Sequence, residues 1–184
     1  MSTIEKVKIF LNSCSQKANI YYVDSDGVIA DFVSWAKKKM PEIIDIDGNT
    51  KPDCVDKLHL MMIENYRECY RNFDVLECGD FFLDKIRNLD NWFVLTATLS
   101  LEKIEATIGK SKKAMEVYNA FCENKYYWYE SHGIKKDKVI ITGHRHDKQR
   151  YATKQSVLFD DFIDNITDWQ NAGGIAFRIG NRIR

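Results

Sequence analysis

Two short acidic clusters are the residues best suited to do chemistry. Asp24 and Asp26 flank Ser25 directly after the apolar run Ile20-Tyr21-Tyr22-Val23, and Gly27 follows them. Asp160 and Asp161 stand side by side after Val157-Leu158-Phe159. A carboxylate can attack phosphorus as a nucleophile. A second carboxylate two residues on points the same way and can serve as acid and then as base. Asp24 is therefore expected to be the nucleophile and Asp26 the acid/base. Two adjacent carboxylates ending a buried strand are costly without a cation. With Asp24 they make a hard oxygen site suited to Mg²⁺. Thr96 ends the run that starts at Trp92, and Lys148 sits in the polar loop after Thr142. Both are placed to hold phosphate oxygens. Gly27 permits a sharp exit from the strand.

Asp-x-Asp-Gly also favours a plain turn. Asp45-Ile46-Asp47-Gly48 repeats the pattern without a strong strand before it, in a proline-containing loop, and reads as a turn. Asp24 differs because a β-like run precedes it and Val28-Ile29-Ala30 leads on into a helix.

Five apolar, β-branched or aromatic runs must position these groups: Ile20–Val23, Trp92–Leu95, Val139–Ile141, Val157–Phe159 and Ile175–Ile179. Helical patterns separate them, so the spacing predicts parallel pairing in an α/β sheet covered on both faces. In such sheets ligands bind outside the carboxyl ends of the strands. The stretch between the first two runs is longer than a simple crossover needs. It carries helical patterns near Val33–Met40 and Lys57–Tyr70 with a turn-rich Asp45–Asp53 between them. It reads as a small helical insertion over 34–73, the rest of the chain (1–33 and 74–184) forming the core domain. Ile4, Val7 and Leu11 mark an amphipathic helix within Met1–Gln16, without the continuous apolar core of a leader peptide.

The motifs resemble one family. YYVDSDGVIADF (Tyr21–Phe32) is similar to the first motif of the haloacid dehalogenase superfamily, and closely to that of the 5'(3')-deoxyribonucleotidases. WFVLTA (Trp92–Ala97) resembles the second motif. Lys125–Lys148 resembles that family's helix, strand and motif lysine. Val157–Phe177 resembles the fourth motif and closing strand, in a form found in phage-type members. The resemblance covers most of the chain from Ile20 to Ile179 except the insertion. It implies a Rossmann-like haloacid dehalogenase fold, with about five parallel strands flanked by helices and a small helical cap after the first. It implies Asp24 as nucleophile and magnesium ligand, and Asp26 as acid/base whose backbone carbonyl binds the metal. It makes Asp161 the direct carboxylate ligand beside Asp160, an order that physics alone leaves open. Thr96 and Lys148 would bind phosphate, and Phe32 would pack against the substrate base. Ala97 stands where the deoxyribonucleotidases have a phosphate-binding serine. Arg145, in the loop before Lys148, is a candidate to compensate. Lys154 is the second candidate for the motif lysine; Asp147-Lys148 matches the family pair better.

Other residues read more plainly. His144 and His146 lack a third ligand and read as a polar loop. Tyr126–Tyr129 read as helix packing. Trp35, Tyr66, Tyr70 and Phe73 serve the insertion's own core or a base pocket. Lys110, Lys112 and Lys113 read as a solvated helix start, and Asp31 as a brace or cap. Lys+Arg and Asp+Glu are both 27, so no basic field draws nucleic acid. Cys14, Cys54, Cys69, Cys78 and Cys122 form no paired motif, which fits a reducing cytoplasm, the host's for a phage-encoded chain. The expectation is a Mg²⁺-dependent phosphomonoesterase acting on nucleoside monophosphates, most naturally deoxyribonucleotides. Its partner is a small-molecule nucleotide, with no membrane and no strong nucleic-acid binding; a homodimer stays open. The alternatives are a phosphatase for another small phosphomonoester or a nucleic-acid 3'-phosphate end, or a non-catalytic binding module on the same fold.

Overall fold

A computed structural model of the chain describes residues 3–13, 20–46 and 48–180. Its centre is one all-parallel sheet of β1 (Ile20–Val23), β2 (Trp92–Ala97), β3 (Val139–Thr142), β4 (Ser156–Asp160) and β5 (Ile175–Arg178). The strand order is β3-β2-β1-β4-β5, so β1 is central. Each apolar run is a strand. β2 runs on through Thr96 and Ala97, and β4 takes in Asp160.

Side chains alternate between the two faces of a strand, and the core divides accordingly. Tyr21, Val23, Val94, Val157 and Phe159 join the larger buried cluster on one face. Tyr22, Leu95 and Leu158 join Trp169 on the other. On the larger face Trp92 stacks on Tyr21 (4.5 Å between centroids) and on Phe159 (5.8 Å). Burying each such side chain contributes about 1.5–3 kcal/mol. The flanking helices are α1 (Thr3–Ser13), α2 (Phe32–Lys39), α3 (Val55–Glu64), α4 (Gly79–Asn88), α5 (Leu101–Ile108), α6 (Lys112–Ser131) and α7 (Ile163–Asn171). α1 falls inside the expected Met1–Gln16; Cys14 and Gln16 lie outside the described residues. Val7 is buried, and Phe10 packs on Phe159 and Phe177. Among the described residues no helix is long and apolar enough to cross a membrane.

The segment between β1 and β2 holds α2, two short 3-10 turns that open at Pro41 and Pro52, α3 and α4. Asp31 caps α2 by accepting the Ser34 N–H (2.9 Å), as a brace would. The second helical pattern is shorter than expected. α3 stops at Glu64, where the Asn65 amide donates to the Met61 carbonyl (2.8 Å), and Tyr70 then takes a φ of 67° that no α-helix accepts. Trp35, Ile43, Met61, Cys69 and Phe73 of this segment share the larger cluster with the sheet. α6 ties its end down. Asn124 Nδ2 donates to the Tyr66 and Cys69 carbonyls (2.9 and 3.0 Å), and Trp128 Nε1 to the Phe73 carbonyl (2.8 Å). The second Asp-x-Asp-Gly copy is a loop in which Asp45 Oδ1 accepts the Asn49 N–H; Asp47 lies outside the described residues.

Candidate active site

Register gathers the acids. Val23 pairs with Val94 on one side and Phe159 on the other, so Asp24 and Asp160, each one residue further along, emerge as neighbours. The chain builds β2 and β3 on one side of β1 and β4 and β5 on the other. The crevice at such a reversal, at the carboxyl ends, is where open α/β sheets hold ligands.

The loop after β1 is tightly wound. The Ser25 carbonyl accepts the N–H groups of Val28, Ile29 and Ala30 (3.2, 2.8 and 2.9 Å). Gly27 has a φ of 94°, which a side chain would oppose. The wound loop sends the backbone of Ser25 back on Asp24, whose Oδ1 accepts the Ser25 N–H (2.7 Å) and the Lys148 ammonium (2.7 Å). Lys148 Nζ also donates to Asp160 Oδ2 (2.8 Å). Asp160 receives two more bonds, from the Phe162 N–H on Oδ1 and from Asn165 Nδ2 on Oδ2, both 2.9 Å. Three donors thus occupy most of the roughly four acceptor positions of that carboxylate.

Asp24, Asp160 and Asp161 are all buried, and each can offer an oxygen within 4.8 Å of the others. Three carboxylates and the Lys148 ammonium sum to two negative charges (3 − 1 = 2) in a buried place. One divalent cation would neutralise them, and the donors are the hard oxygens Mg²⁺ prefers. Burial and the Asp24 charge outweigh the nearby ammonium and push the Asp160 carboxyl up to about 6. Burial opposes the charge on Lys148, but Asp160 and Asp24 outweigh it and hold the ammonium well above its ordinary value.

The second pair stands beside the first. Asp26 Oδ2 accepts from Lys125 Nζ at 2.9 Å, and the same ammonium donates to Thr96 Oγ1 at 3.0 Å. Lys125 is 2% exposed and lies 4.0 Å above the Tyr70 ring. Asp26 Oδ1 is buried with no hydrogen-bond partner. The site thus holds two acid–lysine units, Asp24/Asp160–Lys148 and Asp26–Lys125, with the Thr96 hydroxyl next to the latter.

The remaining candidates are more dispersed. Ala97 ends β2 opposite Thr142. Phe32 opens α2, half-buried against Trp35 and Phe73 (5.9 and 5.8 Å). Arg145 pairs with Asp164 (3.3 Å) and lies over the Phe162 ring. Lys154 is exposed in the turn before β4, so Lys148 alone of the two lysines reaches the acids. His144 and His146 pair with Glu102 and Asp168 instead of with each other. Trp128 and Tyr129 are core, while Tyr127 is exposed under Arg71 (3.7 Å). Trp35, Tyr70 and Phe73 are buried among themselves, and Tyr66 bonds Glu116 and Lys113 at the surface. Lys112 opens α6 and is exposed.

Sequence reasoning assigned no role to Lys125 or Asn165. A signal was there. Lys125 lies four residues after Phe121 and three and four before Trp128 and Tyr129, which puts it on the apolar face of α6. A lysine on a buried face needs a partner. Asn165 shares the inner face of α7 with Ile166 and Trp169 in the same way.

Compared with protein-family models the chain matches none, and compared with curated proteins it likewise finds no match.

Proposed function

We propose that the protein is a Mg²⁺-dependent phosphomonoesterase of the haloacid dehalogenase type that hydrolyses nucleoside monophosphates, deoxyribonucleotides among them. The observation that carries this reading is the convergence of Asp24, Asp26, Thr96, Lys125, Lys148, Asp160 and Asp161 at adjacent strand ends, with the charge of one divalent cation left uncompensated.

Each group has a chemical task. Ser25 N–H and Lys148 engage Asp24 Oδ1 and fix the rotation of the carboxylate, so that Oδ2 is the oxygen left to attack phosphorus. Asp26 gives a proton to the leaving oxygen and later takes one from the water that opens the aspartyl phosphate. Lys125 and the Thr96 hydroxyl supply donors for the phosphoryl oxygens. Asp24, Asp161 and the Asp26 carbonyl would hold the cation, with Asp160 behind them; when bound, it lets an anionic nucleophile approach an anionic phosphate. The 34–73 insertion acts as a small cap that excludes water, and Phe32 offers a ring to the base.

The test is phosphate release from a panel of nucleoside monophosphates, with Mg²⁺ and with excess chelator. Mg²⁺-dependent turnover is expected. Asp24→Asn abolishes it, since an amide is no nucleophile. Asp26→Asn slows it about a hundredfold, as loss of acid/base help does. Full turnover in chelator, or wild-type turnover by Asp24→Asn, would refute the mechanism.

A further inference from the structure

Beside the acid cluster, one residue past Thr96, opens a cavity of about 490 Å³. It lies between the end of β2, the loop after β3 and helix α3, and its volume suits a nucleoside-sized ligand. Thr98, Ser100, His59, Lys103, His144 and Arg145 give it its polar character, and no acid lines it. Two acids nearby are already engaged. Glu102, at the start of α5, pairs with His144 (3.4 Å), and Asp164 with Arg145 (3.3 Å). Lys103 has no ion-pair partner among the described residues. Its charge is felt across the cavity: burial first, and then Lys103, hold the His59 imidazole below its ordinary value, against a smaller opposing effect of Asp56.

A cavity lined by a lysine without an ion-pair partner and by no acid is complementary to one anion at the far end of a ligand. A plain nucleoside would leave Lys103 unmatched. We infer that this cavity receives the end of the leaving group away from the base and selects substrates that carry a second phosphate there, as a nucleoside 3',5'-bisphosphate does. This deepens the proposed phosphomonoesterase reading and rests on it for the orientation of the ligand. The reactive phosphate sits at Asp24 and the second at Lys103, with His59 lining the cavity beside it. Helix α3 walls the cavity through His59, so the small bisphosphate is favoured over a polymer end.

The experiment measures binding apart from turnover. Asp24→Asn protein is titrated by calorimetry, in Mg²⁺ buffer, with thymidine 5'-monophosphate, thymidine 3',5'-bisphosphate and a 3'-phosphorylated trinucleotide. The bisphosphate is expected to bind roughly tenfold tighter than the monophosphate, which corresponds to about 1.4 kcal/mol. Adding Lys103→Gln is expected to remove that preference, and Lys103→Arg to keep it. Equal affinities, or a preference indifferent to Lys103→Gln, would overturn the inference while leaving Mg²⁺-dependent phosphate release untouched. A trinucleotide that outbinds the bisphosphate would overturn it in favour of a polynucleotide end. A preference that persists in a protein releasing no phosphate from any substrate would sink the hydrolytic reading and keep the binding site.

Discussion

Lys148 is the residue on which the acid cluster turns. It is 3% exposed and stands within 2.8 Å of both Asp24 and Asp160. Burying three carboxylates together is affordable only because this ammonium cancels one charge and the fold supplies N–H donors for others. Lys148→Met keeps the volume of the side chain and removes the charge. It should destabilise the metal-free protein by about 3–5 kcal/mol, the usual loss when one partner of a buried ion pair is removed. Urea unfolding in chelator checks this, and an unchanged midpoint would mean that the acids are protonated or solvated. Lys125 contributes in the same way to Asp26, but it also touches Thr96, so its loss would mix a stability effect with a change in the phosphate cradle.

At the scale of elements, the site depends on how closely α4 approaches the loop after β1. Gly79 opens α4, and a Cβ there would meet the Ile29 carbonyl at 2.5 Å and Val75 at 2.6 Å. The Ile29 carbonyl accepts the Leu76 N–H (2.8 Å), so it cannot simply move aside. Gly79→Ala should therefore cost about 1–3 kcal/mol through overpacking. Because Ile29 lies in the wound loop that carries Asp24 and Asp26, turnover should fall as well. Chemical denaturation alongside a phosphate-release assay checks both, and a variant as stable as wild type would show that α4 can slide. The α6 helix acts from the other side. Its Asn124 and Trp128 fasten the end of the insertion, and between them Lys125, next to Asn124 and three residues before Trp128, reaches Asp26. The same helix therefore positions both the insertion and the acid.

For the whole molecule, the acid cluster couples folding to metal and to pH. In the fold the Asp160 carboxyl is pushed up to about 6, against 3.8 for an ordinary aspartate. A carboxyl raised in this way favours the fold when protonated; that contribution is complete below about 3.8 and is lost as pH rises through about 6. A cation reverses the preference, because it binds the ionised form and must expel the proton below that value. Mg²⁺ should therefore raise the melting temperature clearly at pH 7 and less at pH 5, with an apparent affinity about tenfold weaker at the lower pH. Thermal melts against Mg²⁺ concentration at the two pH values test this. A stabilisation equal at both, or absent at pH 7, would count against a metal held by these acids.

The parallel sheet was legible in the residues because buried strands flanked by helices read as short continuous apolar runs, and Ile20–Val23, Trp92–Leu95 and Val157–Phe159 have no other economical use. The acids that follow these runs were legible too, since a run that ends in a carboxylate marks a strand end facing solvent or a ligand. What the linear chain left open was which groups meet. Lys125 is far from both Asp26 and Thr96 in sequence, and only the packing of α6 on the sheet brings its ammonium to them. The length of the second helical pattern was misjudged because apolar spacing continues past Glu64, while the bonds that turn the chain there come from Asn65 and from Asn124 on a distant helix. Asp160 and Asp161 are equivalent as neighbours in a sequence. They part company in the fold, where Asp160 accepts from the nearby Phe162 N–H, from Asn165 on α7 and from Lys148; the approach of the lysine is set by tertiary packing, which local spacing does not encode.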